Sequence, residues 1–310
     1  MPGAAERFLD ALCAGTPPIE RRVAVVVAHP DDETIGCGAQ LARFRDLLLV
    51  HVTDGAPRSR ADAADYATMR AAELAAVLDL AGIPRERTVA LGVVDQEAAL
   101  AMAAIARRLA EIFADFRPEI VLTHAYEGGH PDHDATCFAV HAAVELIHSV
   151  PAIPLDSSPA CGGGQGGGSP PHARQATERR RVEPPAPPPQ AGEELKESTP
   201  VVIDFPLYRA APNPSGWALI EFLPGTPPGR TVELDEGRRA MKARLLACHR
   251  SQREMLQHFP LGHERFRAAP RYDFAAPPHP GELFYERLGW GIDGGRWRML
   301  AASAASELAR

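Results

Sequence analysis

Two short segments of the chain concentrate imidazole and carboxylate groups. One is Ala28-His29-Pro30-Asp31-Asp32-Glu33; the other, about 100 residues further on, is His130-Pro131-Asp132-His133-Asp134. Neutral imidazole and carboxylate are ligands for Zn²⁺ and related divalent ions, and a catalytic centre needs three protein ligands with one position open. His29 and Asp32, three residues apart at the start of a helix, can face one ion. One histidine of the second segment completes the set, and spacing alone does not say which. A water in the open position has its pKa lowered to roughly 7, which supplies hydroxide at neutral pH. The remaining groups suit a carboxylate that takes the proton from that water, and a histidine that donates to a leaving group or holds an oxyanion. An isolated Asp31-Asp32 pair would more simply cap the next helix; it is the second cluster that favours a metal.

The elements around these segments must bring them together. Apolar runs rich in β-branched residues occur at 23–28, 47–52, 88–91 and 119–123, with Ala/Leu-rich stretches of helical spacing at 64–81, 96–116 and 132–149. Such alternation predicts βαβ units, a parallel sheet and right-handed crossovers. The near-continuous apolar first run suits a central strand buried on both faces. With strand order 3-2-1-4, the first and fourth strands flank the point where the order reverses, and ligands bind outside the carboxyl ends of strands there. Both clusters follow those two strands. Beyond residue 200, runs at 201–205 and 218–222 read as strands and 237–258 as a helix, followed by an irregular Pro- and aromatic-rich tail.

The two clusters, together with the intervening Thr-Asp-Gly and Met-Arg-Ala-Ala-Glu segments, resemble the PIG-L/LmbE family of zinc-dependent N-acetylglucosaminyl deacetylases over most of residues 20–150. The likeness continues more loosely into 241–252 and 271–281. It implies His29, Asp32 and His133 as metal ligands, Asp31 as general base, and His130 as general acid or oxyanion stabiliser tuned by Asp132. Arg70 matches a position associated with sugar binding. The implied fold is a Rossmann-like three-layer α/β sandwich with a mostly parallel sheet. The implied reaction is hydrolysis of the N-acetyl amide of an N-acetylglucosamine-type sugar or conjugate, releasing acetate. The alternative is a metal-dependent amidohydrolase acting on a non-sugar amide. In one departure, many relatives place a tyrosine two residues before the first histidine of the second cluster, where this chain has Gly128; Tyr126 lies four residues before His130.

Composition narrows the rest. With 40 acidic and 33 basic residues the formal charge is −7, which excludes a nucleic-acid binder working through a basic surface. No apolar run approaches the ~20 residues needed to cross a bilayer, and Glu6, Arg7 and Asp10 interrupt the stretch where a signal peptide would need continuous apolar character. The expected partner is a small N-acetylated amino sugar or glycoconjugate, without nucleic acid or membrane, and a homo-oligomer stays open. Five scattered cysteines, never in CxxC spacing, read as reduced thiols in a cytoplasmic protein. A nucleotide-binding module would need G-x-G-x-x-G after the first strand, where His29–Gly38 stands instead. Of 30 prolines, 11 fall between 151 and 200, and 156–198 has no apolar periodicity. That span reads as a disordered insertion within one catalytic domain covering 1–310.

Overall fold

The computed structural model describes residues 3–149, 199–213 and 215–310. In chain order the elements are α1 (Ala4–Cys13), β1 (Ile19–Val27), α2 (Asp32–Cys37), β2 (Phe44–Pro57), α3 (Ala63–Ala81), β3 (Thr88–Asp95), α4 (Met102–Phe116), β4 (Ile120–His124) and α5 (Pro131–Ser149). There follow β5 (Val201–Phe205), β6 (Tyr208–Ala210), β7 (Trp217–Leu219), β8 (Arg230–Glu233), α6 (Glu236–Leu246), α7 (Arg253–Leu256), β9 (His263–Ala268) and α8 (Gly294–Leu308). Seven strands form one sheet in the order β3-β2-β1-β4-β5-β9-β8, and β6 pairs with β7 apart from it.

The first five strands of that sheet are parallel; β9 and β8 extend it antiparallel. The expected α/β architecture and the 3-2-1-4 order are therefore present. Central β1 is paired on both sides: Val25 lies opposite Leu49 of β2 and Leu122 of β4. Its five residues Val23–Val27 are wholly buried, as expected of a strand covered on both faces. Alternate side chains point to opposite faces. Val23, Val25 and Val27 join a core with Leu9 and Leu12 of α1, Ile35 of α2 and Leu78 of α3. Ala24 and Val26 join a second core with Leu109 of α4, Val140 of α5 and Trp297 of α8. Each fully buried Val or Leu side chain contributes about 1.5–3 kcal/mol by leaving water. The two cores thus hold the sheet as the middle of three layers.

Local chemistry explains where elements differ from the expected bounds. α3 stops as expected at Gly82, whose φ of +70° closes the helix while the Ile83 amide bonds the Leu78 carbonyl. The 96–116 stretch begins its helix only at Met102, because the backbone amides of Gln96 and Ala98 donate to the Asp132 carboxylate and Gln96 takes φ +70°. The expected 237–258 helix is broken at His249 (φ −81°, ψ 66°), and the Ser251 amide goes to Glu73 of α3 at 2.8 Å instead of continuing it. The supposedly irregular tail holds β9 and the 15-residue α8. The insertion expected at 156–198 lies outside the described residues. The segments on either side of it form one compact unit, with β4 and β5 paired in register from Ile120–Val201 to His124–Phe205. Among the described residues no helix is long and apolar enough to cross a membrane.

Candidate metal centre

The turn after β1 is fixed before any ligand is considered. The Ala28 carbonyl accepts from both the amide and the hydroxyl of Thr53, at 2.8 and 3.0 Å. The Ala28 amide donates to Nε2 of His124, at the end of β4, at 2.9 Å. This bond ties the carboxyl ends of β1 and β4 together. It also uses the Nε2 lone pair of His124, so that imidazole carries its proton on Nδ1, and burial holds it neutral by pushing its pKa well down. His124, though beside Asp32 and His133, has a structural role.

Asp31 sits at φ 139°, a region that non-glycine residues rarely enter. Its amide is held by Glu33 Oε2 at 3.0 Å, and its carbonyl accepts the amides of Thr34 and Ile35. Glu33 is in turn 3.1 Å from His51 and 3.7 Å from His249; those histidines hold its carboxyl well below the usual range against the opposing effect of burial. A buried acid with two imidazole neighbours therefore braces the strained residue.

The predicted ligands converge. His29 Nδ1 lies 3.2 Å from His133 Nε2 and 3.1 Å from Asp32 Oδ2, and His133 Nε2 lies 3.3 Å from Asp32 Oδ1. Ligand atoms ~2.0–2.2 Å from a tetrahedral ion stand about 3.3–3.6 Å apart, so two nitrogens and a carboxylate already hold close to that spacing. Two imidazole nitrogens facing each other at 3.2 Å need a cation or a proton between them. All three residues are buried. Burial disfavours charge on His29, yet Asp95 and Asp32 outweigh it and raise its pKa well above the ordinary value. Burial likewise opposes charge on Asp32, which His133 and His29 nevertheless hold well below the carboxylate range. Positive charge is therefore favoured at this point, and a divalent cation fits the donors.

Around them stand the other expected residues. Asp31 has its pKa pushed up to about 6 by burial, against the opposing pull of Arg70, whose Nη2 is 3.1 Å from Asp31 Oδ2. The guanidinium of Arg70 also donates to the carbonyls of Pro30 and Gly55 at 2.5 and 3.3 Å, so Arg70 is first a clamp on Asp31. His130 Nδ1 accepts the Asp132 amide at 3.1 Å. Burial holds His130 neutral, so it presents an Nε2–H, a donor and not a ligand lone pair. Asp132 touches His130 through this backbone amide. Its carboxylate serves Gln96, Ala98 and, at 3.4 Å, His29.

Three groups were missed by sequence reasoning. Asp95, the last residue of β3, lies 3.1 Å from His29 Nε2 and 3.9 Å from His130 Nε2; its place at a strand end beside β2 was the available signal. Tyr208 is fully within the site's field: burial, then Asp32, Asp31 and Asp95, raise its pKa well above the ordinary value, and its ring is 5.3 Å from that of His133. Its amide and that of Leu207 both donate to Glu127 at 3.2 and 2.7 Å. A Cβ on Gly129 would meet the Tyr208 carbonyl at 1.9 Å, so glycine is required where the loop before His130 crosses that strand. Trp290, the third, packs 4.7 Å from His130. Tyr126 turns away from the centre, donating to the Ala276 carbonyl at 3.0 Å among Tyr272, Phe274 and Trp297.

Residues 24–144 match the family model described as PIG-L: GlcNAc-PI de-N-acetylase. The chain is 30% identical over 150 residues to a 1D-myo-inositol 2-acetamido-2-deoxy-alpha-D-glucopyranoside deacetylase of Kineococcus radiotolerans, a match covering 36% of this chain and 42% of that protein. A protein of the same name from Mycobacterium sp. (strain KMS) is 33% identical over 154 residues, covering 40% and 50%. The chain thus spans half or less of the length of these relatives. Among solved structures, a deacetylase of an antimicrobial pseudoaglycone aligns with a TM-score of 0.52 at 16% identity, over 82% of this chain and 99% of that one. A deacetylase of teicoplanin biosynthesis, in complex with teicoplanin, gives 0.50 at 16%, over 81% and 99%. At such identities these two show the fold. Residues 24–144, the stretch that matches this family model, carry all seven residues expected to form the site.

Proposed function

We propose that the protein is a metal-dependent deacetylase that hydrolyses the N-acetyl amide of an N-acetylglucosamine-type sugar or sugar conjugate and releases acetate. One observation carries this reading: the imidazoles of His29 and His133 and the Asp32 carboxylate converge, with a carboxylate (Asp31) and an imidazole N–H (His130) beside them. The family match and the names of the relatives supply the bond and the sugar.

His29, Asp32 and His133 would hold the ion. A bound divalent cation, zinc in this proposal, supplies Lewis acidity and a nucleophile that is active at neutral pH. The chain's own groups do the remainder. Asp31, held at its unusual φ and paired with Arg70, accepts the proton of the attacking water; a pKa near neutrality suits a base. His130 donates its Nε2–H as a hydrogen bond to the oxyanion, and the proton taken up by Asp31 passes on to the leaving amine. Asp95, 3.1 Å from His29 Nε2 and 3.9 Å from His130 Nε2, keeps a carboxylate facing both imidazoles. Tyr208 and the loop of Gly128 and Gly129 wall the site.

We read 3–149 and 199–310 as a single catalytic unit, because β4 pairs with β5 across the gap and His249 reaches Glu33. The free cysteines Cys13, Cys37, Cys137 and Cys248 fit a reducing, cytoplasmic setting. The test is acetate release from a panel of N-acetylated sugars and non-sugar amides, with Asp31→Ala beside the wild type. Acetate from a sugar by the wild type and a loss of at least about a hundredfold in the variant are expected. Hydrolysis of non-sugar amides alone would overturn the sugar reading.

A further inference from the structure

A cavity of about 600 Å³ opens against α6 and α7, and none of the seven residues expected to form the metal centre lines it. Its apolar wall is made by Leu246, Leu256, Phe259 and Leu261. The first three are buried in the core that also holds Val25 of β1. Arg250 and Arg253, both exposed, form the rim. Among the described residues neither guanidinium has a carboxylate or hydrogen-bond partner, and no carboxylate lines the cavity. Elsewhere the surface arginines are met: Arg58, Arg60, Arg85, Arg87 and Arg108 each have a carboxylate at 3.0 Å or less. In a chain of formal charge −7 the rim is a local reversal of sign.

This lining selects its occupant. Two guanidiniums three residues apart repel each other, and an anion between them replaces that repulsion with charge-assisted hydrogen bonds. His249 is the buried polar member of the lining; its Nε2 lies 3.7 Å from Glu33 and its Nδ1 has no hydrogen-bond partner. Burial opposes charge on that imidazole, but Glu33 outweighs it and raises its pKa. A cation would meet like charges, and a neutral hydrocarbon would leave both guanidiniums unused. The volume lies within the ~300–1,000 Å³ of small-molecule sites. Ten lining residues fall short of the about 20–30 per side of a stable protein interface.

We propose that this cavity is a binding site, separate from the catalytic centre, for a small organic anion: an apolar body carrying one carboxylate, sulfonate or phosphate group. Two probes test it, 8-anilinonaphthalene-1-sulfonate and N-phenyl-1-naphthylamine, which has the same rings without the sulfonate. Fluorescence titration of the full-length protein should show one equivalent of the sulfonate bound about tenfold more tightly than the neutral analogue. Arg250→Ala combined with Arg253→Ala should remove that preference and leave the neutral probe bound as before. Ala247→Trp, which fills the cavity from an exposed position, should exclude both probes. Urea midpoints verify that these surface variants keep the fold. Equal affinities of the two probes for the wild type overturn the proposal. So does a preference that survives the double substitution, or sulfonate binding undisturbed by Ala247→Trp. A protein that elutes as a dimer and becomes a monomer with Ala247→Trp also overturns it, because a second copy then covers this face. Every arm reads binding alone, so the outcome is independent of whether acetate is released from any sugar.

Discussion

At the scale of single residues, the proposed roles of the two histidines of His130-Pro131-Asp132-His133 follow from which lone pair is free. The Nδ1 of His130 is occupied by the Asp132 amide, whereas His133 turns Nε2 toward His29 and Asp32. His133→Ala should therefore lose the metal. His130→Ala should keep it, with kcat falling about 10²–10³-fold as for loss of an oxyanion donor and KM changing little. Metal analysis beside steady-state kinetics decides this, and equal metal loss in both variants contradicts the assignment. The sequence placed both histidines among the expected site residues but could not divide them by spacing, because the division depends on backbone amides that no motif displays. Asp95 escaped for a similar reason: an aspartate after a strand is common, and only the pairing of β3 with β2 brings it to His29.

At the scale of elements, α5 carries the second cluster at its start and His141 in its middle. That imidazole lies against the rings of Tyr272 and Phe274 at 5.4 and 5.9 Å, and burial lowers its pKa to about 4. In the unfolded chain a histidine takes up its proton near ~6.5. Below that pH the unfolded state binds more protons, so stability falls as pH drops from about 6.5 toward 4. The span corresponds to at most about 3 kcal/mol. Urea unfolding at pH 7 and pH 4.5 should show this loss in wild type and a smaller one in His141→Leu; equal losses would contradict it. The βαβ half was legible because β-branched runs and helical spacing alternate there. Beyond residue 200 the pattern was legible at β5, which spans the expected 201–205, but not at β8 and β9. β8 and β9 are short and charged, with Arg230, Glu233, Glu264 and Arg267 among their residues, and their burial comes from pairing rather than pattern.

Across the whole molecule, what joins the late segments to the site is polar and buried. Lys242 of α6 is 2.8 Å from Glu264 of β9 and donates to the Ile35 carbonyl in α2 at 2.7 Å. Glu264 also accepts the Ala39 amide and Gln40 at 2.9 and 2.8 Å. The charge pair is essentially unexposed. Lys242→Met should cost about 3–5 kcal/mol by leaving Glu264 uncompensated, and adding Glu264→Gln should restore much of that. A double-mutant cycle in urea measures it; additive losses would mean that the pair does not couple the segments. Four carboxylates, Asp31, Asp32, Asp95 and Asp132, stand at the centre. That crowding of carboxylates among the imidazoles of His29, His130 and His133 argues for a cation. The most direct measurement strips the protein of metal, adds back zinc in steps, and follows acetate from an N-acetylglucosamine conjugate. Silence without metal and full recovery at one equivalent per chain are predicted. Undiminished acetate release from the stripped protein, or none from any N-acetylated sugar when fully loaded, would contradict the account.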